Sequence, residues 1–146
     1  MNSLREAAQD PQKRQLLVKE LTALVDDEVK RTSGVSGLAV RGGYKVVSSL
    51  KGGRMVPIAV NSLLDKFIDG LAPLVERYRE SGEARFSSFM VRNERDAVNA
   101  LLAVTDRRAE TASSAVKSAY KKLRPIAEKQ VAGALPAVGA WLDRYL

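Results

Sequence analysis

Two serine–lysine pairs sit four residues apart in this chain, Ser114 with Lys117 in "SAVK" and Ser118 with Lys121 in "SAYK". An S-x-x-K spacing places a lysine one helical turn from a serine, where the amine can draw the proton from a nucleophilic hydroxyl. Enzymes built on that pair add a partner motif such as K-T-G and a larger mixed fold. Neither is present, and two matches inside an Ala/Ser/Lys-rich run read as composition. Carboxylates also recur one turn apart, at Asp65 and Asp69 and at Glu76 and Glu80, with a further "DDE" at 26–28. Such pairs could hold a cation or share acid–base work. Helix-bundle metal sites add a histidine in E-x-x-H spacing, and the chain has no His and no Cys. Lys66, Arg77 and Arg79 lie between these acids, so solvated faces with i,i+4 pairing are the simpler reading. The expectation is a non-enzymatic protein with no cofactor and no metal.

A third candidate for chemistry is "SGVSGLAVRGGYKVVSSLKGGR" at 33–54, which holds six of the ten glycines and no acid. A phosphate-cradling loop needs glycines at set offsets between a strand and a helix, followed by Lys-Ser/Thr, and these spacings do not match. A hairpin has its arms in "LAVR" and "YKVV" around Gly42-Gly43, but no third strand supports it. A helix over 37–50 puts Val40, Tyr44, Val47 and Leu50 on one side. Ser36, Ala39 and Gly43 fall on another, small enough to admit a closely packed neighbour. The two central glycines cost such a helix about 1 kcal/mol each, which close packing would offset. The same helix, read by its cations Arg41, Lys45, Lys51 and Arg54, resembles a basic amphipathic segment suited to an anionic membrane surface.

The charge is unevenly placed. Of 24 Lys and Arg against 17 Asp and Glu, residues 29–64 hold six cations and no acid, and residues 107–146 hold eight cations and three acids. A net charge of +7 creates a field that attracts anionic partners. In "KSAYKKLR" at 117–124, Lys117, Lys121 and Arg124 share one helical face and could follow a phosphate backbone. No recognition helix with base-reading residues accompanies them, so nucleic-acid binding through this face would be non-specific.

The elements that must carry these residues are helical. "DPQKRQLLVKELTALVDDEVKR" opens with Asp10 as cap and Pro11 in the first turn, where its missing N–H costs nothing. Leu17, Leu21, Leu24, Val25 and Val29 recur at helical spacing, and Lys30 and Arg31 suit the C-terminal end. A second stripe, Val60, Leu64, Phe67, Leu71, Leu74 and Tyr78, keeps phase across Gly70 and Pro73 and predicts one kinked helix. Phe86, Phe89 and Met90 make a short apolar turn. Asn93 with Asp96 reads as a capping box that opens a helix from 94 to about 110, with Val98, Leu101, Leu102 and Thr105 facing inward. "TASS" at 111–114 is a turn or a cap. Val116, Tyr120, Leu123 and Ala127 form the next stripe, with a kink at Pro125, and Pro136 opens a last helix containing Val138, Trp141, Leu142 and Tyr145. Trp141 and Leu142 either plug the core or form an exposed apolar end.

"SGVSGLAVRGGYKVVSSLKGG" with "VPIAVNSLLDKF", "ALLAVTDRRAE" and "AVKSAYKKLRP" resembles a family of small actinobacterial helical proteins grouped as a domain of unknown function. The resemblance covers most of the chain and implies a helical, cytoplasmic protein. It carries over no functional residue.

Together these features predict a single all-α domain over 1–146, an irregular bundle of five to seven helices, some kinked at proline. At 13 residues, the uncharged run 130–142 is too short to span a bilayer, and the N-terminal "MNSLREAAQDPQKRQ" lacks the apolar run of a secretory signal. The expected role is docking to an anionic partner protein or anionic lipid, with the protein cytoplasmic or peripheral at the membrane. Arg41, Lys45, Lys51, Arg54, Lys117, Lys121 and Arg124 are the contact residues. The alternatives are non-specific nucleic-acid binding by the same cations, and a bundle enclosing an apolar ligand in a cavity lined by Phe67, Phe86 and Trp141.

Overall fold

The computed structural model describes residues 1–146, with the side chain of Ser36 outside the described part. Seven helices and no strand are present among the described residues: α1 (Asn2–Gln9), α2 (Pro11–Arg31), α3 (Gly34–Gly53), α4 (Met55–Ser81), α5 (Phe86–Arg92), α6 (Glu94–Glu110) and α7 (Ser114–Leu142). The all-α expectation holds, and the hairpin around Gly42-Gly43 does not form. The chain divides into two compact units, one of Asn2–Asp65 and one of Lys66–Leu146 with Met1.

In the first unit α1 packs on α2 and α2 on α3. Asp10 caps α2 as its sequence predicts. Its carboxylate accepts from the backbone N–H groups of Gln12 at 2.9 Å and Lys13 at 3.0 Å. The Lys13 amide is the chief reason the Asp10 carboxyl lies below the usual carboxylate range. Leu17 and Val29 of the predicted stripe are buried, and Leu21, Leu24 and Val25 are half-buried. Arg14 ties α2 to the start of α4. Its guanidinium reaches both carboxylate oxygens of Asp65 at 3.2 and 3.0 Å and donates to Asn61 Oδ1 at 2.7 Å. Asp65, one of the acids considered for a cation site, is held below its ordinary pKa by that arginine.

The second unit holds the larger core: Ile68, Leu71, Leu74 and Val75 of α4, Phe86, Phe89 and Met90 of α5, Ala97, Val98, Leu102 and Val104 of α6, and Leu135, Trp141 and Leu142 of α7. Trp141 and Leu142 therefore plug the core rather than forming an exposed end. Tyr78 meets Phe86 and Phe89 edge-on, with ring centroids 5.3 and 5.9 Å apart. α5 packs tightly on α7. A Cβ placed on Gly139 would lie 2.5 Å from Ser87 Cα, so only glycine fits. One turn later Asp143 closes the start of α5, accepting from Phe86 N–H at 2.7 Å and Ser87 Oγ at 2.6 Å.

Three local expectations need correction. Asn93 and Asp96 do not make a capping box. The Asn93 amide donates back to the Phe89 carbonyl at 2.9 Å, and Asp96 pairs with Arg77 at 2.8 Å. A neighbouring arginine supplies a stronger partner than a backbone amide, so the carboxylate turns to it. No new helix opens at Pro136, because α7 runs unbroken for 29 residues with Pro125 and Pro136 inside it. Both prolines are exposed, so a carbonyl that loses its partner on that face can turn to water. The stripe Val116, Tyr120, Leu123 and Ala127 does not face a core either, since Val116 and Leu123 are 53% and 57% exposed. Tyr120 is drawn in by polar contacts described below.

Candidate functional site

The glycine-rich stretch forms α3, whose backbone is helical from 35 to 49 after Gly34 enters at φ 78°. Leu50 then takes ψ 158°, and Lys51, Gly52 and Gly53 follow with φ of 55°, 66° and 82°. These three left-handed residues end the helix and turn the chain into α4. Glycine takes such angles without penalty, while Lys51 does so at a cost of about 1 kcal/mol.

The face α3 turns toward α2 is polar. Tyr44 donates its hydroxyl to Asp26, and Arg41 donates to the carbonyl of Thr32. Burial, aided by the Asp26 carboxylate, pushes the Tyr44 phenol well above its ordinary range. Gly37 is the residue that permits close approach: a Cβ there would lie 2.7 Å from the Thr32 carbonyl oxygen.

Apart from half-buried Val40, which shares the Tyr44 side, most of the aliphatic side chains point the other way. Val35 is 86% exposed, Val46 65%, Leu38 64% and Leu50 50%. Val35, Ala39, Gly42 and Val46 follow one another at four- and three-residue steps, so they form one stripe, with Leu38 and Leu50 on its flanks. The close-packed helix expected from the small residues is not what forms. Nothing lies within 4 Å of a Cβ placed on Gly42 or Gly43, and Ala39 is exposed. The side chain of Ser36, counted with them, lies outside the described residues. The glycines flatten an open surface.

Lys45 borders this stripe, Lys51 and Arg54 stand at its C-terminal end, and all three are exposed. Among the described residues none of them forms an ion pair. Ile58, in the first turn of α4, adds another exposed apolar side chain just past Arg54. The amphipathic order is inverted relative to a core helix: polar groups inward, aliphatic groups outward, cations at the rim.

The second basic face lies in the other unit, on α7. Lys117 and Lys121 are exposed. Arg124, the third member, is committed within the chain: its Nε and Nη2 donate to the two oxygens of Asp106 at 2.9 and 3.1 Å, and it reaches Glu128 at 3.4 Å. Tyr120 donates to the same Asp106 and stands 2.8 Å from Thr105 Oγ1. The Arg124 guanidinium, with help from Tyr120, holds the Asp106 carboxyl below its ordinary range, while burial and that carboxylate raise the Tyr120 phenol. Three cations on one face is thus reduced to two. Of the seven residues expected at an anionic surface, Arg41 and Arg124 serve the fold, and Lys45, Lys51, Arg54, Lys117 and Lys121 remain open to solvent. The sequence reading missed the Asp106–Tyr120–Arg124 cluster. Its signal was a tyrosine and an arginine at i,i+4 opposite an acid in the preceding helix.

Ser114 and Ser118 are exposed along α7 beside their lysines. Among the described residues no three acidic, His or Cys groups come together in a metal-binding set. A cleft of about 490 Å³ in the second unit is lined by Lys66, Asp69, Gly70 and Pro73 of α4 and by Val104, Arg107, Arg108 and Thr111. Phe67, Phe86 and Trp141 do not line it: Phe86 is fully buried among aromatic neighbours and Trp141 packs on Tyr145 at 5.1 Å. No helix among the described residues is long and apolar enough to cross a membrane.

The chain belongs to the family of unknown function DUF6918, which matches it over residues 4–146. No curated protein and no solved structure matches it.

Proposed function

We propose that this is a non-enzymatic interaction protein that docks onto an anionic surface through the outward face of α3 and the turn that follows it. It would act as a cytoplasmic protein peripheral to the surface it binds. The observation that carries the reading is the inverted α3: a row of aliphatic side chains faces solvent, bordered by Lys45, Lys51 and Arg54, in a segment of 36 residues without one acid. Exposed contiguous apolar surface rimmed by charge marks an interaction site rather than ordinary solvated surface. The cations draw an anionic partner toward the face, and the aliphatic groups then lose water against it.

The test is retention on acidic supports. The wild-type chain binds polyglutamate and anionic vesicles, and binding falls as salt rises. The triple variant Lys45→Glu, Lys51→Glu, Arg54→Glu loses it with its helical circular dichroism intact. Equal retention of wild type and variant would refute the reading. Non-specific nucleic-acid binding through Lys117 and Lys121 is the second reading, favoured by their exposure on α7. It predicts a gel shift that weakens steeply with salt and is lost on Lys117→Glu, Lys121→Glu rather than on the α3 variant.

A further inference from the structure

The outward face of α3 is built for a particular kind of anionic surface. We infer that the occupant is an anionic lipid bilayer, in which α3 lies along the interface with Val35, Leu38, Val46 and Leu50 sunk into the acyl boundary. This inference rests on the docking role proposed above and names its partner.

Three features of the face select lipid over the other candidates. Its exposed residues are Val, Leu, Ala and Gly, with Ser49 near the C-terminal end donating its hydroxyl back to the Val46 carbonyl at 2.7 Å, and the glycines at 42 and 43 leave it flat. Protein interfaces concentrate binding in aromatic or arginine anchors set in shaped pockets, and this stripe offers no such anchor. A fluid acyl layer demands no complementary shape and accepts a smooth aliphatic ridge. A second copy of the chain fits poorly for a different reason. A two-fold contact through this face would bring two such segments together, each with six cations and no acid from 29 to 64, so neither copy offers a carboxylate to offset Lys45, Lys51 and Arg54 of the other. The lysines are also placed as an interfacial helix needs them. They flank the apolar stripe, where their stems can run along it while the ammonium groups reach the phosphates of the headgroup layer.

Length agrees with lying rather than crossing. Fifteen helical residues at 35–49 extend about 22 Å at 1.5 Å per residue, short of the roughly 20 residues that a span requires. The opposite face of α3 is already engaged, through Tyr44 with Asp26 and Arg41 with Thr32, so the helix can present its aliphatic side without leaving α2. The left-handed turn at 51–53 ends the apolar stripe where Lys51 and Arg54 stand, so the cations close one end of the buried face.

The absence of native cysteine allows a direct test in the full chain. A single cysteine replaces Val46 and carries an environment-sensitive fluorophore; a second protein carries it at Ser88, an exposed position in α5. Each is titrated with phosphatidylglycerol vesicles, phosphatidylcholine vesicles and polyglutamate. The inference predicts a blue shift at 46 with phosphatidylglycerol vesicles, quenching there by lipids brominated on the acyl chain, and neither response at 88. Polyglutamate binds without a shift at 46. Val46→Asp lowers affinity for the anionic vesicles at least about tenfold, since the apolar transfer is lost. Anionic vesicles that bind without a blue shift at 46 overturn the inference and leave docking to an anionic surface standing. A blue shift that grows with protein concentration and needs no lipid overturns it in favour of a second copy. Equal shifts at 46 and 88 also overturn it, because they report loosening of the whole chain. Failure to bind either vesicles or polyglutamate removes both the inference and the docking role beneath it.

Discussion

Gly139→Ala and Gly133→Ala lie less than two turns apart in α7 and should shift stability in opposite directions. In a helix interior, alanine is favoured over glycine by about 1 kcal/mol. At Gly133 nothing lies within 4 Å of the added methyl, so that gain is realised and the variant is more stable by about 0.5–1 kcal/mol. At Gly139 the same methyl would sit 2.5 Å from Ser87 Cα, 2.8 Å from Ser87 Cβ and 3.3 Å from Ser87 N. Those are backbone atoms and a Cβ, which no side-chain rotation can withdraw. The two helices must separate, and overpacking of this kind costs about 1–3 kcal/mol. Separation also pulls Asp143 from the Phe86 and Ser87 amides, 2.7 and 3.3 Å away, and loss of a cap adds about 1 kcal/mol. The net effect is a loss of about 1–3 kcal/mol after the helix-propensity gain. Urea denaturation followed by far-ultraviolet circular dichroism reads both variants on one scale. At an m-value of about 1–3 kcal/mol/M, the midpoints move apart by about 0.5–4 M. A Gly139→Ala protein as stable as the wild type would refute the close packing of α5 on α7.

Asp143→Ala destabilises by about 1–2 kcal/mol in the same assay, as three hydrogen bonds to the start of α5 are lost. Acid titration follows Asp106: its folded pKa is depressed, so the native state binds fewer protons than the unfolded chain, and the stabilisation present above about pH 4 is lost as pH falls through the depressed value. Arg124→Gln flattens that acid limb; an unchanged slope would show that the pairing does not matter in solution. Tyr44 and Tyr120 have raised pKa values, so the stability they confer is complete below about pH 10 and is lost at higher pH. Ultraviolet difference titration shows both phenols ionising above the normal range, and Asp106→Asn brings Tyr120 part of the way back.

Much of the architecture was legible because apolar periodicity and caps reinforce each other. Asp10-Pro11 marks the start of α2, and the Leu64 to Tyr78 stripe carries α4 through Gly70 and Pro73. Where the reading failed, a polar partner far along the chain competed with a local pattern. Arg77 takes Asp96 from its expected cap, and Asp106 takes Arg124 and Tyr120 from the surface and the apolar stripe. In α3 the composition was read correctly as helical and basic. Its orientation was not, because periodicity shows which residues share a face and leaves open which face meets the neighbour. Tyr44 with Asp26, and Gly37 against Thr32, decide that, and neither contact has a local signature.

The docking account is tested most directly by mapping backbone amide chemical shifts as nanodiscs containing phosphatidylglycerol are added to the labelled 15.9 kDa chain. The account predicts that the perturbed amides cluster between Val35 and Arg54, and that phosphatidylcholine discs leave the spectrum unchanged. Shifts confined to α7 around Lys117 and Lys121, or none at all, would contradict it.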